Sequence, residues 1–257
     1  MKKCFLAFLL LGILVFLLFF PEAALFASRR GLDLWFGTLV PTLLPFLILS
    51  GFLIHSGLVQ IPAALLAPVF GRLFGISPLG SYACFTGFLC GCPMGAKVLA
   101  DLTRNGRIAP EEASYLLGFC NQVSPSFIIT FLVMENLKKP ELLPFALFLV
   151  YGIPVFYGFL TRPGLFRPKI PFFSGKKNAS AVQISFELLD ACIYDAVNTL
   201  LKLGGYLVLF SILAEILVLL PFLPEQTAAL AGGLLEITTG IPGIVSLFPL
   251  KTACRIL

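Results

Sequence analysis

Apolar runs of membrane-crossing length follow one another along the chain, separated by short polar punctuation. Residues 4–20 form the first run. Glu22, Arg29, Arg30 and Asp33 then mark a short loop, and Trp35 opens a second run that reaches residue 54 through Pro41 and Pro45. Prolines are tolerated in such helices because neighbours satisfy the carbonyls they free. Residues 59–74 are too interrupted for a span and predict an interfacial segment. Residues 79–102 are apolar again. Pro110 with Glu111 and Glu112 then starts a helix that continues to residue 135, since Pro fits the first turn and acids complement the dipole. Further runs occupy 141–160 and 203–220, the latter preceded by an amphipathic stretch, 186–202, whose wet face carries Asp190 and Asp195. Residues 227–250 are apolar but interrupted at Thr238-Thr239-Gly240-Ile241-Pro242-Gly243. A spanning helix takes about 20 apolar residues, so the pattern predicts an all-α polytopic membrane protein with about six spanning helices.

Two of these runs are broken internally by polar, Gly- and Pro-rich sequence: TGFLCGCPMGAK over 86–97 and GFCNQVSPSFIIT over 118–130. A bilayer core offers no partner to a free backbone N–H or C=O. Broken backbone at that depth is stable only when buried in protein or lining a watery cavity. Two such breaks a short loop apart predict the two walls of a solute or ion site.

Composition points to the same class. Of 257 residues, 58% are hydrophobic and 12% charged, with a mean hydropathy of +0.99, which leaves no stretch for a separate soluble domain. The net charge of +5 sits in short loops and fits cytoplasmic retention of Lys and Arg better than nucleic-acid binding. Charge also selects a topology. If 79–102 crossed fully, the basic loop 161–180 would lie outside. If that run is instead re-entrant, turning at Gly91, Pro93 and Gly95, then Lys2, Lys3, Arg72, Arg104, Arg107, Arg162, Arg167, Lys169, Lys176 and Lys177 face the cytoplasm. Only Arg29, Arg30, Lys138 and Lys139 then face out before the last span. The positive-inside tendency selects the re-entrant arrangement, in a multi-pass cell-membrane protein whose N-terminus is cytoplasmic. Residues 4–20 behind Met1-Lys2-Lys3 then read as an uncleaved signal-anchor helix. The sequon Asn178-Ala179-Ser180 falls on the cytoplasmic side and is discounted.

A span followed by a broken apolar hairpin occurs twice, with 45–50 before 87–93 and 205–210 before 233–239, and the topology inverts the two copies. This gives four parts: 1–30, signal-anchor helix and loop; 31–160, the first unit; 161–185, a basic cytoplasmic loop; and 186–257, a second unit. The second unit lacks a counterpart to the 121–125 break and the span after it, so either the chain is a truncated member of its kind or a partner, a second copy or another chain, supplies the remainder.

Among polar residues, Asn121, Gln122, Ser124 and Ser126 surround Pro125, which removes a backbone donor and displaces the carbonyl four residues back. The cluster can coordinate a cation or hydrogen-bond a polar solute; the alternative is a kinked helix satisfying itself. Lys97 can meet an anionic solute or pair with an acid. Glu236, with Thr238 and Thr239 in the second hairpin, is an ionisable group inside an apolar segment and therefore a functional candidate. Glu215 near a helix end and the single histidine, His55, read as interfacial. Cysteines 4, 84, 90, 92, 120, 192 and 254 have neither disulfide nor zinc spacing; Cys90 and Cys92 are read as small residues at a turn, with a soft-metal site as the alternative. Protease, aspartyl and nucleotide-binding signatures are missing, so no enzyme activity, catalytic residue, cofactor or metal is expected. The expected partners are a small-molecule solute and the lipid bilayer.

TGFLCGCPMGAKVLADLTRNGRIAPEEASYLLGFCNQVSPSFIITFLV, together with LEITTG, resembles the nucleoside-recognition (Gate) domain membrane proteins, and among them the sporulation integral membrane (YlbJ-like) family. The resemblance runs from about residue 35 to 243. It implies a transport-type fold, a role in spore formation and movement of dipicolinic acid, a small aromatic dianion, across a membrane surrounding the forespore. Lys97, hairpin N–H groups at Gly91 and Gly95, and the Asn121–Ser126 cluster are the ligands it implies. The wider Gate group implies a nucleoside or cation permease instead, and an incomplete second unit a gate or assembly subunit that does not itself transport.

Overall fold

A computed structural model describes residues 2–162, 185–220 and 223–247. Every described element is helical: α1 Lys2–Phe19, α2 Pro21–Ser56, α3 Gln60–Phe74, α4 Pro78–Cys90, α5 Met94–Arg104, α6 Pro110–Leu117, α7 Phe127–Leu137, α8 Pro140–Leu160, α9 Phe186–Leu219, α10 Glu225–Leu235 and α11 Ile237–Leu247. α2 winds as a π-helix over Trp35–Leu39, α8 does so over Phe148–Gly152, and α7 does so throughout. Most of the basic loop 161–180, the sequon at 178–180 and residues 248–250 lie outside the described residues.

Among the described residues, three helices are long and apolar enough to cross a membrane, namely α2, α8 and α9, or four if the bent pair α3–α4 is one span. About six were expected. The predicted runs 110–135 and 227–250 fall short because each is divided into separate, shorter helices. The predicted loop over residues 21–34 is also corrected, because it is the start of α2. Pro21 takes the first-turn position and no other Pro interrupts the segment. Glu22, Arg29 and Asp33 sit opposite a buried face of Ala24, Ala27 and Gly31, and Arg30 flanks it. Likewise 186–202 and 203–220 are not two elements but the single helix α9.

The chain divides into two compact units, and the division falls within α2 and within α9. One comprises the described parts of Met1–Thr42 and Asn198–Leu257. Its core joins Ile13 and Phe16 of α1, Ala24 and Ala27 of α2 and Ile212 of α9. Small residues let the backbones approach: a side chain at Gly31 would lie 3.2 Å from the Val208 Cα. Two polar ties cross the same pair of helices. Trp35 Nε1 donates to the Leu200 carbonyl at 2.8 Å, and Arg30 meets Glu215 at 3.4 Å. Glu215 is thus ion-paired.

The other unit is Leu43–Val197. α3 and α4 meet at 88° through Gly75, whose left-handed φ of 68° ends α3. α4 and α5 form a hairpin, against which α6 packs. Arg107 Nη1 donates to the Ile54 carbonyl at 2.8 Å, and Tyr82 Oη to Ser50 Oγ at 3.0 Å, fixing α4 and the α5–α6 loop to the end of α2.

Candidate functional site

The hairpin α4–α5 begins with a capped end. Ser77 Oγ accepts the Gly80 N–H at 3.0 Å, Pro78 fills the first turn, and the buried Glu112 carboxylate accepts the Ser77 N–H at 2.7 Å. It turns at Gly91, Cys92 and Pro93, where Gly91 has φ +79°, a conformation that favours glycine. The turn therefore falls where the sequence placed it. Arms of 13 and 11 residues rise about 20 and 16 Å, and neither covers a hydrocarbon core of about 30 Å.

The second break is also where the sequence placed it. α6 stops at Leu117, and helix resumes only at Pro125. Ser124 starts the second half: its Oγ accepts the Phe127 N–H and its carbonyl the Ile128 N–H, both at 3.2 Å. Pro125 is thus a first-turn proline rather than a mid-helix kink.

The two breaks touch, backbone against backbone. Cys92 N–H donates to the Gln122 carbonyl at 2.6 Å. A side chain at Gly91 would lie 2.5 Å from Ser124 N. At Gly87 it would fall on the Cys120 carbonyl oxygen, and at Gly95 it would lie 2.6 Å from that same atom. The Asn121 amide spans the junction, with Oδ1 accepting the Ala96 N–H at 3.3 Å and Nδ2 reaching Cys92 Sγ at 3.6 Å. Most freed carbonyls find donors: Phe119 from Gln122 Nε2 at 3.2 Å, and Val123 from Tyr151 Oη at 2.6 Å. Among the described residues, no hydrogen-bond donor meets the Cys120 or Asn121 carbonyl.

Lys97 lies one helical turn beyond Pro93. Its ammonium reaches both Asp101 oxygens, at 2.8 and 2.7 Å, and Asp195 of α9 at 2.6 Å. Lys97 and Asp101 side chains are largely buried, at 17% and 10% exposure, whereas Asp195 is 58% exposed. Two carboxylates thus surround one cation.

Gly91, Pro93, Gly95, Asn121, Gln122, Ser124 and Pro125 therefore gather at one junction, with Lys97 beside it and Ser126 exposed at its edge. Glu236 and Thr238 belong to the other unit. There the break falls on Glu236 itself, extended at φ −148°, ψ 110°, rather than on 238–243. Its buried carboxylate caps α11, taking the Thr238 N–H at 3.0 Å and the Thr238 hydroxyl at 2.5 Å. The side chain of Thr239 lies outside the described residues. Truncating this cap by Glu236→Ala is expected to lower stability by about 1–2 kcal/mol, read by thermal melting in detergent. Glu236→Gln, which keeps an acceptor, is expected to lose less.

Sequence reading missed Gly87, Asp101, Glu112, Tyr151 and Asp195. The i,i+4 spacing of Lys97 to Asp101 and of Gly87, Gly91 and Gly95 was available as a signal; the long-range partners carried none.

Residues 36–137 match the Gate family, described as nucleoside recognition, a span that holds the hairpin and both halves of the broken helix. That segment is similar to Gate domains. It is also 32% identical over 213 residues to the sporulation integral membrane protein YlbJ of Bacillus subtilis strain 168, covering 77% of this chain and 52% of that protein. The chain thus spans about half the length of that relative. No solved structure matches. The apolar helices and the similarity to an integral membrane protein place the chain among membrane proteins, and the junction of the two breaks lies inside the Gate-matching segment.

Proposed function

We propose that this chain is a sporulation-associated permease and that its Gate-domain junction is the solute site. The observation that carries the reading is the contact of a short-armed hairpin with an unwound helix, leaving the Asn121 amide and the Cys120 and Asn121 carbonyls at broken backbone. Transporters place solute and ion sites at such discontinuities. An inverted repeat is supported by a shared hairpin design. Gly87 and Gly95 are opposed across the first hairpin, and Gly233 and Gly240 across the second; Gly87, Gly95 and Gly240 leave no room for a side chain, and Gly233 is tight. Six spans, a cytoplasmic N-terminus and a forespore-surrounding membrane belong to the same proposal. They rest on the charge balance and on the sporulation relative.

The solute we assign is a small organic anion of the dipicolinate kind, held by the Gly95 N–H and the Asn121 amide, since the N–H groups of Gly91, Cys92, Met94, Ala96 and Lys97 already donate within the protein. A second reading, a nucleoside or cation, is favoured by one observation: Asp101 and Asp195 already counter the Lys97 charge. Equilibrium binding of radiolabelled dipicolinate and of nucleosides to the purified full chain in nanodiscs separates them. Saturable dipicolinate binding, weakened about tenfold or more by Asn121→Ala, is expected, in keeping with about 1.4 kcal/mol per decade. Nucleoside binding alone selects the second reading, and binding of neither overturns the dipicolinate and nucleoside assignments alike.

A further inference from the structure

An apolar groove of about 450 Å³ runs along α8 against the end of α3, lined by Leu73, Phe148, Gly152, Val155, Phe156 and Phe159. It has no part in the junction described above. The stretch from Phe148 to Phe159 rises about 16 Å at most, half the roughly 30 Å hydrocarbon core and thus the depth of one leaflet. Phe148 and Phe156 are 66% and 65% exposed, so the groove opens outward rather than into the protein.

One end of the groove is basic. Arg162 stands just beyond Phe159, its guanidinium 5.9 Å over that ring, and its Nε is buried with no hydrogen-bond partner among the described residues. Tyr115 Oη donates to the Gly158 carbonyl at 2.6 Å and reaches the Phe74 carbonyl at 3.4 Å, so the last turn of α3, which carries the exposed Arg72, is tied to the last turn of α8. A leaflet-deep apolar channel ending at the Arg162 guanidinium, with Arg72 on the adjoining helix end, matches a single acyl chain below a phosphate. Arginine suits that phosphate through its planar, multi-donor head, and basic sites at the cytoplasmic membrane surface attract anionic lipid.

We propose that this groove is a specific site for an anionic glycerophospholipid, one acyl chain lying along α8 and the phosphate held by Arg162 with Arg72. The test uses the full chain in nanodiscs of equal phosphatidylglycerol and phosphatidylcholine, released and weighed intact by native mass spectrometry. The expected result is a retained phosphatidylglycerol in preference to phosphatidylcholine. Arg162→Ala should lower that preference about fivefold, the factor for one basic contact at the surface. Val155→Trp, which fills the groove, should lower retention of the lipid itself, and Arg104→Ala, a basic residue away from the groove, should leave preference unchanged. Melting temperature reports whether each variant is folded, and for a variant that is not, Arg162→Lys and Arg72→Ala supply the comparison. Equal retention of both lipids by the wild-type chain overturns the proposal, as does an Arg104→Ala loss equal to that of Arg162→Ala.

Discussion

Gly87→Ala is expected to remove most folded, active protein, because no space exists for a single methyl group. The Cys120 carbonyl oxygen occupies the position a Cβ at Gly87 would take, and Gly95 opposes the same atom from the other arm. The obstructing atoms are backbone, so no flexible side chain can rotate away. Overpacking of this kind costs about 1–3 kcal/mol where neighbours can shift, and here a shift pulls the α4–α5 hairpin off the unwound 121–124 segment. The Cys92 to Gln122 and Ala96 to Asn121 hydrogen bonds would lengthen with it. A large fall in melting temperature and loss of solute binding should appear together. Gly12→Ala, inside a helix with nothing within 4 Å, is the control and should lower neither. A Gly87→Ala protein that melts and binds like wild type would remove the junction from the account.

Lys97→Ala is the second large effect. It strands the Asp101 carboxylate, whose side chain is only 10% exposed, without its bidentate partner. Breaking a buried pair from one side costs about 3–5 kcal/mol, because the remaining charge is left uncompensated. The Asp195 leg adds at most about 1 kcal/mol, since that carboxylate is 58% exposed and screened by solvent. Two substitutions separate structure from solute contact. Asp101→Leu in the Lys97→Met background should recover most of the stability lost by Lys97→Met alone, as apolar replacements of buried pairs do. If solute binding recovers as well, Lys97 acts only by holding α5; if stability returns without binding, it contacts the solute.

Much of the junction was legible in sequence because its signals are local. Gly91 and Pro93 mark the hairpin tip, and Pro125 marks the second break, although the sequence reads it as a mid-helix kink and the structure makes it a first-turn proline behind Ser124. The α2 segment 21–34 misled for an equally local reason: four charged residues resemble a loop, while the small buried face of Ala24, Ala27 and Gly31 shows itself only when α9 is beside it. Long-range partners left no trace in spacing. Asp195 lies 98 residues from Lys97, and Tyr151 lies 28 residues from the Val123 carbonyl that its hydroxyl satisfies. Glu236 was found as an ionisable residue within an apolar run, but its role as the cap of α11 follows from an extended backbone that no flanking Pro or Gly announces.

Uptake into proteoliposomes tests the central claim, that the contact of the two breaks forms a site through which a solute crosses the membrane. The wild-type chain should accumulate dipicolinate above protein-free vesicles, and Asn121→Ala, incorporated at equal density and melting near the wild-type temperature, should reduce that uptake about tenfold or more, following the loss in binding. Uptake no greater than in empty vesicles, for dipicolinate and for nucleosides alike, would contradict it.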